Sequence, residues 1–293
     1  MRQFLVLFLL IPVLARGGES QKPGASGTET ETKATAAKKQ LVCYVSTNMR
    51  ASLEELARLH EAQTGVKIIL EIADARTLIS KIEKSHDADL FVCHDPFLAM
   101  LVNQGVAVKN VWAVASVKPM VAVPKGNPNR IKGLEDLARP GLRIGLTDGK
   151  NSISGHIITL MLQKAGIAEK VEANVLKRTL QGGDIASALA AGDLDACIVW
   201  NAVVFTLRDK IEAVDIKPEW RPKFGLDAVV NSPTMGRLEL DYVRVTAAML
   251  GTSKLPDEAL AFAKFAASAE GMAVFVKNGF SPADPNRPAF PTK

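Results

Sequence analysis

Short, nearly continuous apolar runs alternate along this chain with stretches whose apolar residues recur every three or four positions. LVCYV, VKIILEIA and DADLFVCH are runs of the first kind, each ending in polar residues. Between the first two lies ASLEELARLHEAQTG, with Leu53, Leu56 and Leu59 at helical spacing and Gly65 as a stop suited to the left-handed cap. The spacing predicts a helix over 49–64, a strand over 66–72, a helix over 76–84 with Leu78, Ile79 and Ile82 inward, a strand over 88–93 and a helix over 96–104. The first helix has two candidate starts: Asn48 as a direct cap, or Ser52 with Glu55 as a capping box one turn later. Buried strands alternating with amphipathic helices predict an α/β fold, a mostly parallel sheet covered on both faces.

A second set follows. PMVAVP at 119–124 reads as a strand, Leu134–Leu137 as a short helix, RIGLTD as a strand, SGHIITLMLQKAG as a helix stopped by Gly166, 185–191 as a helix and ACIVW as a strand. Two lobes are therefore expected, over 41–118 and 119–225, joined by connections near 115–119 and 222–240. The tail ALAFAKFAASAEGMAVFVKNGF predicts helices that return, within 226–293, to cover the first lobe.

The first forty residues do not share this pattern. Arg2, the apolar run Phe4 to Ala15 and then Arg16-Gly17-Gly18 read as a secretory signal peptide over 1–17. The run is shorter than the ~20 apolar residues of a membrane span, so an uncleaved anchor is the second choice. Residues 18–40, rich in Gly, Ser, Thr, Lys, Glu and Ala, cannot bury enough surface to order themselves and are expected to be a tether. The leader holds six Lys and Arg against three Glu, +3 of the chain's +5, so the remainder is only about +2. Without a basic cluster interleaved with aromatics, nucleic acid is not an expected partner.

Ligands of open α/β sheets bind outside the carboxyl ends of the strands. Ser46-Thr47-Asn48 places hydroxyls, an amide and free N–H groups at a helix start, where an anion is favoured; simple capping is the alternative. Ala73-Asp74-Ala75-Arg76-Thr77 opens the next helix. Arg76 there can meet an anion, while Asp74 either caps the helix or pairs with Arg76. The second lobe offers Asn151-Ser152-Ile153-Ser154-Gly155-His156, in which Gly155 is expected to let a ligand approach the backbone, and Asp184-Ile185 after Gly182-Gly183. Trp200-Asn201 ends a strand on the same side, as a crevice wall or as hinge packing.

Cys93-His94-Asp95 contains metal-ligand types, but neighbours on a regular strand face opposite ways. His94 and His156, one on each lobe, remain able to approach across a closed cleft. The three cysteines, Cys43, Cys93 and Cys197, all lie in apolar runs; burial as free thiols is expected, and a Cys43–Cys93 bridge needs strand geometry that sequence does not show. No GxSxG elbow, P-loop, HExxH or dinucleotide fingerprint is present, so neither an enzyme nor a cofactor is expected.

From Leu41 to about Phe280 the sequence resembles the periplasmic molybdate-binding proteins of ABC importers, a branch of the two-lobed type II solute-binding fold. LVCYVSTNMRASLEELARLHEAQTGVKI is similar to the family's strand, polar loop and helix; TLISKIEKSHDADLFVCHDPFLAML and SAEGMAVFVKNGF resemble two later segments. In that family an oxyanion is held without counter-charges by hydroxyl, backbone N–H and Tyr groups at helix starts of both lobes. The resemblance places the first-loop serine on Asn48, the second-loop serine on Ala75, the backbone donors of the second lobe on Ser154 and Ile185, and the tyrosine on Trp200. Two hydroxyls have thus become an amide and a methyl, and Asp74 and Arg76 have entered the region.

These readings give one expectation: an exported, periplasmic or extracytoplasmic, monomeric protein that closes over a small anion and delivers it to the permease of an ABC importer. Asn48, Ala75 and Arg76 serve the first lobe; Ser154, Ile185 and Trp200 serve the second. Molybdate or tungstate is the implied cargo. A small carboxylate, a metal ion or metal complex held by His94, His156, Asp74 or Cys93, or a role as a ligand sensor, are the alternatives.

Overall fold

Each apolar run read above as a strand becomes one. The computed structural model describes residues 39–223, 226–227 and 229–290, all within one compact unit, 38–293. In chain order the elements are β1 (Gln40–Ser46), α1 (Arg50–Thr64), β2 (Lys67–Ala73), α2 (Ala75–Ser85), β3 (Leu90–His94), α3 (Phe97–Asn103), β4 (Val108–Val117), β5 (Pro119–Pro124), β6 (Ile144–Thr147), α4 (Ile153–Lys164), α5 (Ala168–Glu172) and β7 (Val175–Thr179). Then follow α6 (Gly182–Ala190), β8 (Ala196–Trp200), α7 (Asn201–Thr206), β9 (Ile211–Val214), β10 (Val229–Ser232), β11 (Gly236–Glu239), β12 (Val243–Leu250), α8 (Pro256–Ala266) and α9 (Ala269–Lys277).

The strands form two five-stranded sheets, ordered β2-β1-β3-β12-β4 and β7-β6-β8-β5-β9, and a separate β10-β11 hairpin. β1 pairs in parallel with β2 and β3, while β12 runs antiparallel to β3 and β4. The second sheet repeats this: β6 is parallel to β7 and β8, and β5 is antiparallel to β8 and β9. Four strands of each sheet thus share one direction and one opposes it. The opposing strand is the one by which the chain enters from the other lobe, so it starts where its neighbours end: Val245 lies beside His94, and Pro119 beside Trp200. Only Lys118 separates β4 from β5.

Both faces of the first sheet are covered. Cys43, Val45, Leu90 and Val92 pack with Leu53 and Leu56 of α1 and with Phe262 and Phe275 of α8 and α9. Tyr44, Phe91, Cys93 and Ala248 pack on the other face with Leu78 and Ile82 of α2 and Leu98 and Leu101 of α3. Cys43 and Cys93 therefore lie in different layers and no bridge joins them; all three cysteines are free and buried. Burial pushes the thiols of Cys43, Cys93 and Cys197 upward.

Several expectations change. The connection near 115–119 is the end of a ten-residue strand, β4, and β7, β9, the hairpin and β12 were not legible as elements. α6 begins at Gly182 rather than 185. The leader over 1–17 and the tether as far as residue 38 lie outside the described residues. Lys39 pairs with Glu258 and Gln40 already belongs to β1, so these two residues are part of the folded unit. Among the described residues, no single helix is long and apolar enough to cross a membrane.

Candidate functional site

The strand register brings the polar strand ends together. Ser46 of β1 stands opposite Ala73 of β2, and Val45 opposite Val92 of β3. Ser46–Asn48, Asp74–Arg76 and His94 therefore lie at one edge of the first sheet. In the second, Thr147 stands opposite Thr179, and Gly145 opposite Cys197 two residues before the sheet edge, which places the loop after β6 beside Trp200.

The two edges meet. Arg76 donates from Nη2 to the Asn151 carbonyl at 3.1 Å, and the His94 ring lies 6.1 Å from that of Trp200. Phe97 completes this contact, its ring 5.2 Å from His94 and 5.9 Å from the Arg76 guanidinium. Among the described residues Arg76 has no ion-pair partner: what it touches across the crevice is a neutral carbonyl. Asp74 is occupied as the cap of α2, accepting from the backbone N–H groups of Arg76 and Thr77, each at 3.1 Å, and from the Thr77 hydroxyl. Burial works against the Asp74 charge, but these bonds prevail and hold its carboxyl below the usual range. The cap leaves Ala75, whose methyl is buried in the core, with the remaining first-turn N–H of that helix.

Asn48 does not cap. It sits in a 3-10 turn, Thr47–Met49, that precedes α1, and neither helix start has a side-chain cap bond. Its Oδ1 is buried without a hydrogen-bond partner, and so is Ser52 Oγ, so the capping box also fails to form. An unmade bond at a buried amide costs about 1–3 kcal/mol. Asn48 and Ser52 are thus polar side chains that the fold leaves unsatisfied at this helix start.

On the second lobe, Asp148 shapes the loop. Its Oδ1 accepts from Asn151 N at 2.7 Å, Asn151 Nδ2 at 3.0 Å and Lys150 N at 3.0 Å, and these bonds keep its carboxyl below the usual range. They also present the Asn151 carbonyl to Arg76. The Ser154 hydroxyl is bonded to Thr147 Oγ1 at 2.8 Å and Ser152 Oγ at 2.7 Å. As the second residue of α4, Ser154 keeps a backbone N–H with no partner inside its helix. Gly155 serves packing rather than ligand approach: a Cβ there would lie 1.8 Å from the Asp148 carbonyl oxygen.

Ile185 is fully buried at the fourth position of α6, where N–H groups begin to be used inside the helix. Its side chain packs onto the strand, 2.5 Å from where a Cβ of Gly145 would stand. The first-turn donors facing outward are those of Gly182 and Gly183. Trp200 is 94% buried and forms a wall between the lobes, and Asn201 accepts from the backbone N–H of Lys118 at 3.0 Å.

The metal reading finds no cluster. Among the described residues no group of three or more His, Cys, Asp or Glu is placed to hold an ion. Cys93 lies within the core, His94 binds the Asp95 carbonyl through Nδ1 at 2.6 Å, and His156 binds the Lys150 carbonyl at 3.1 Å on its own lobe. Burial holds the His94 pKa below its ordinary value.

Asp95 is instead half of a buried ion pair. Arg244 of β12, 1% exposed, donates from Nη1 to Asp95 Oδ2 at 2.9 Å, from Nη2 to Glu239 at 2.8 Å and from Nε to the Pro288 carbonyl at 2.8 Å. Burial opposes the charge of Arg244, but Asp95 and Glu239 hold its pKa above the ordinary value. A charged residue inside the apolar run VRVTAAML was the available signal for such a pair.

Beside the crevice lies a cavity of about 340 Å³, between α3, the first residue of α4 and the β10-β11 hairpin. Its walls are mostly apolar: Pro96, Ala99, Val102, Ile153, Met235 and Phe290 contribute.

A family model described as "Bacterial extracellular solute-binding protein" matches residues 41–281. Among curated proteins, a binding protein of Haemophilus influenzae is 23% identical over 243 residues, which cover 83% of this chain and 91% of that one. Among solved structures, L-phospholactate-bound PEB3, a protein of Campylobacter jejuni, is 22% identical with a TM-score of 0.66, covering 83% of this chain and all of the other. The periplasmic molybdate-binding protein of Azotobacter vinelandii is 18% identical with a TM-score of 0.62, again covering 83% of this chain and all of the other. These structural likenesses are likenesses of fold, the two-lobed type II arrangement.

Proposed function

The chain belongs to the bacterial extracellular solute-binding protein family, and on that premise we propose that it captures a small oxyanion between its lobes and hands it to a membrane importer. Arg76 carries this reading. It is a cation at the crevice whose contact across the lobes is a carbonyl rather than a carboxylate, so an anion entering there gains a charge-assisted hydrogen bond at no loss of an existing ion pair. The Asn48 amide, with its unsatisfied oxygen, can turn to offer its NH2 group, and the backbone N–H groups of Ala75, Ser154 and Gly183 supply further donors. Trp200 forms the wall. Donors come from both lobes, so the shell is complete only in the closed form, and the ligand favours closure by that difference.

Oxyanion chemistry has two sources. Molybdate or tungstate is the cargo implied by the resemblance; the phosphate or carboxylate of a small organic acid is the other, favoured by the replacement of hydroxyl donors with a guanidinium. Thermal-shift measurements against molybdate, tungstate, sulfate, phosphate and L-phospholactate separate them. A ligand at 100 times its Kd adds about 2.7 kcal/mol, a rise of several degrees for a chain of this size. Arg76→Ala is expected to weaken binding by roughly 10- to 150-fold, since hydrogen bonds to a charged group contribute about 1.5–3 kcal/mol. Unchanged affinity in Arg76→Ala overturns the assignment.

A further inference from the structure

The cavity beside the crevice bears on the kind of oxyanion bound. Arg76 does not itself line the cavity, but the two groups it touches belong to segments that do: Phe97 opens α3, which supplies Ala99 and Val102, and Asn151 lies in the loop that leads to Ile153. The volume, about 340 Å³, falls in the range of small-molecule sites, which span roughly 300–1,000 Å³ and are lined mainly by apolar groups. A space of about 150 Å³ already admits a benzene ring. A bare tetrahedral oxyanion has no use for apolar walls of this extent.

The charged groups that line the cavity balance, so its walls favour an apolar body rather than a second charge. Asp95 and Glu239 line it and share the single charge of Arg244, with Arg287 also 3.5 Å from Glu239. Arg237 lines it too, exposed and without an ion pair among the described residues. The charge of Arg237 offsets the second of the two carboxylates, and the cation that meets the anion head is Arg76 at the crevice, which also favours the charge of Asp74.

We propose that the ligand is an organic acid, its oxyanion head bound at Arg76 and its apolar body seated in the cavity between α3, Ile153 and the β10-β11 hairpin. This rests on the anion reading above and narrows it. The probes are inorganic phosphate and phenyl phosphate, which carry the same head with and without an apolar body, titrated calorimetrically into the purified chain. Phenyl phosphate is expected to bind at least tenfold more tightly. Ala99→Phe, which fills the cavity, is expected to remove that advantage and leave inorganic phosphate unaffected, whereas Arg76→Ala weakens both. Val102→Phe tests the same wall if Ala99→Phe does not fold. Equal affinity for the two probes, or an advantage that survives both fillings, overturns the cavity assignment while the anion reading stands. If no anion of either kind binds, the anion reading fails and takes this proposal with it.

Discussion

Replacing Arg244 by Met tests whether the ion pair behind the crevice holds the return strand in place. The side chain is 1% exposed and makes charged bonds to Asp95 and Glu239 and a third bond to the Pro288 carbonyl. Methionine fills most of the volume but removes all three donors. Asp95 then keeps the backbone N–H of residue 244, at 3.0 Å, and loses its cation. Breaking a buried pair from one side costs about 3–5 kcal/mol, mostly because the surviving charge is left uncompensated. For a chain of this size 1 kcal/mol moves Tm by about 2–4 °C, so a fall of roughly 6–20 °C is expected. The sharper test is the cycle with Asp95→Asn: once the arginine is gone, neutralising the carboxylate removes the source of the penalty, so the double variant is expected to recover about 1–3 kcal/mol relative to Arg244→Met. Urea unfolding at constant m reads each corner. An Arg244→Met protein within about 1 kcal/mol of the parent, or a double variant showing the sum of the two single losses, refutes the reasoning.

Two further outcomes are expected. His60 lies between Phe262 and Phe265, both ring nitrogens buried without partners, and burial holds its pKa below the ordinary value; the unfolded chain therefore takes up a proton near pH 6.5 that the folded one refuses, and stability falls as pH drops through that region. His60→Leu is expected to narrow the difference in urea midpoint between pH 7.5 and pH 5.5, with the His94 contribution remaining, and an undiminished difference refutes it. Gly155→Ala is expected to destabilise by about 1–3 kcal/mol and to weaken anion binding, because the added Cβ would displace the loop that presents the Asn151 carbonyl; calorimetry and thermal melts that match the parent refute this role.

What the sequence revealed divides by range. α1 and α2 were legible because their signals are local: apolar spacing, an Asp cap, a glycine stop. β12 was not, because its place between β3 and β4 is fixed by partners about 150 residues away, and its arginine interrupts an otherwise plain apolar run. At the site, Arg76 and Trp200 stood out as polar and aromatic residues at strand ends. The Asn151 carbonyl did not, since a backbone group leaves no trace in residue type. Gly155 was read as room for a ligand, and the room is taken by the protein's own Asp148. Ile185 was carried over by family pattern to a helix start, and it stands at the fourth position of α6, because α6 starts at Gly182.

The position of β12 in the first sheet also sets an order of events during synthesis. The second sheet is built from strands between Pro119 and Val214, contiguous in the chain, and has every strand once that stretch has emerged. The first sheet has its edges and one interior pair early, but the strand that joins β3 to β4 arrives only with residues 243–250. Domains generally fold from the amino end as they are made; here the lobe that begins first must finish last. Until then β3 and β4 expose unpaired edges, so a chaperone that shields the nascent chain has its longest task at the amino-terminal half.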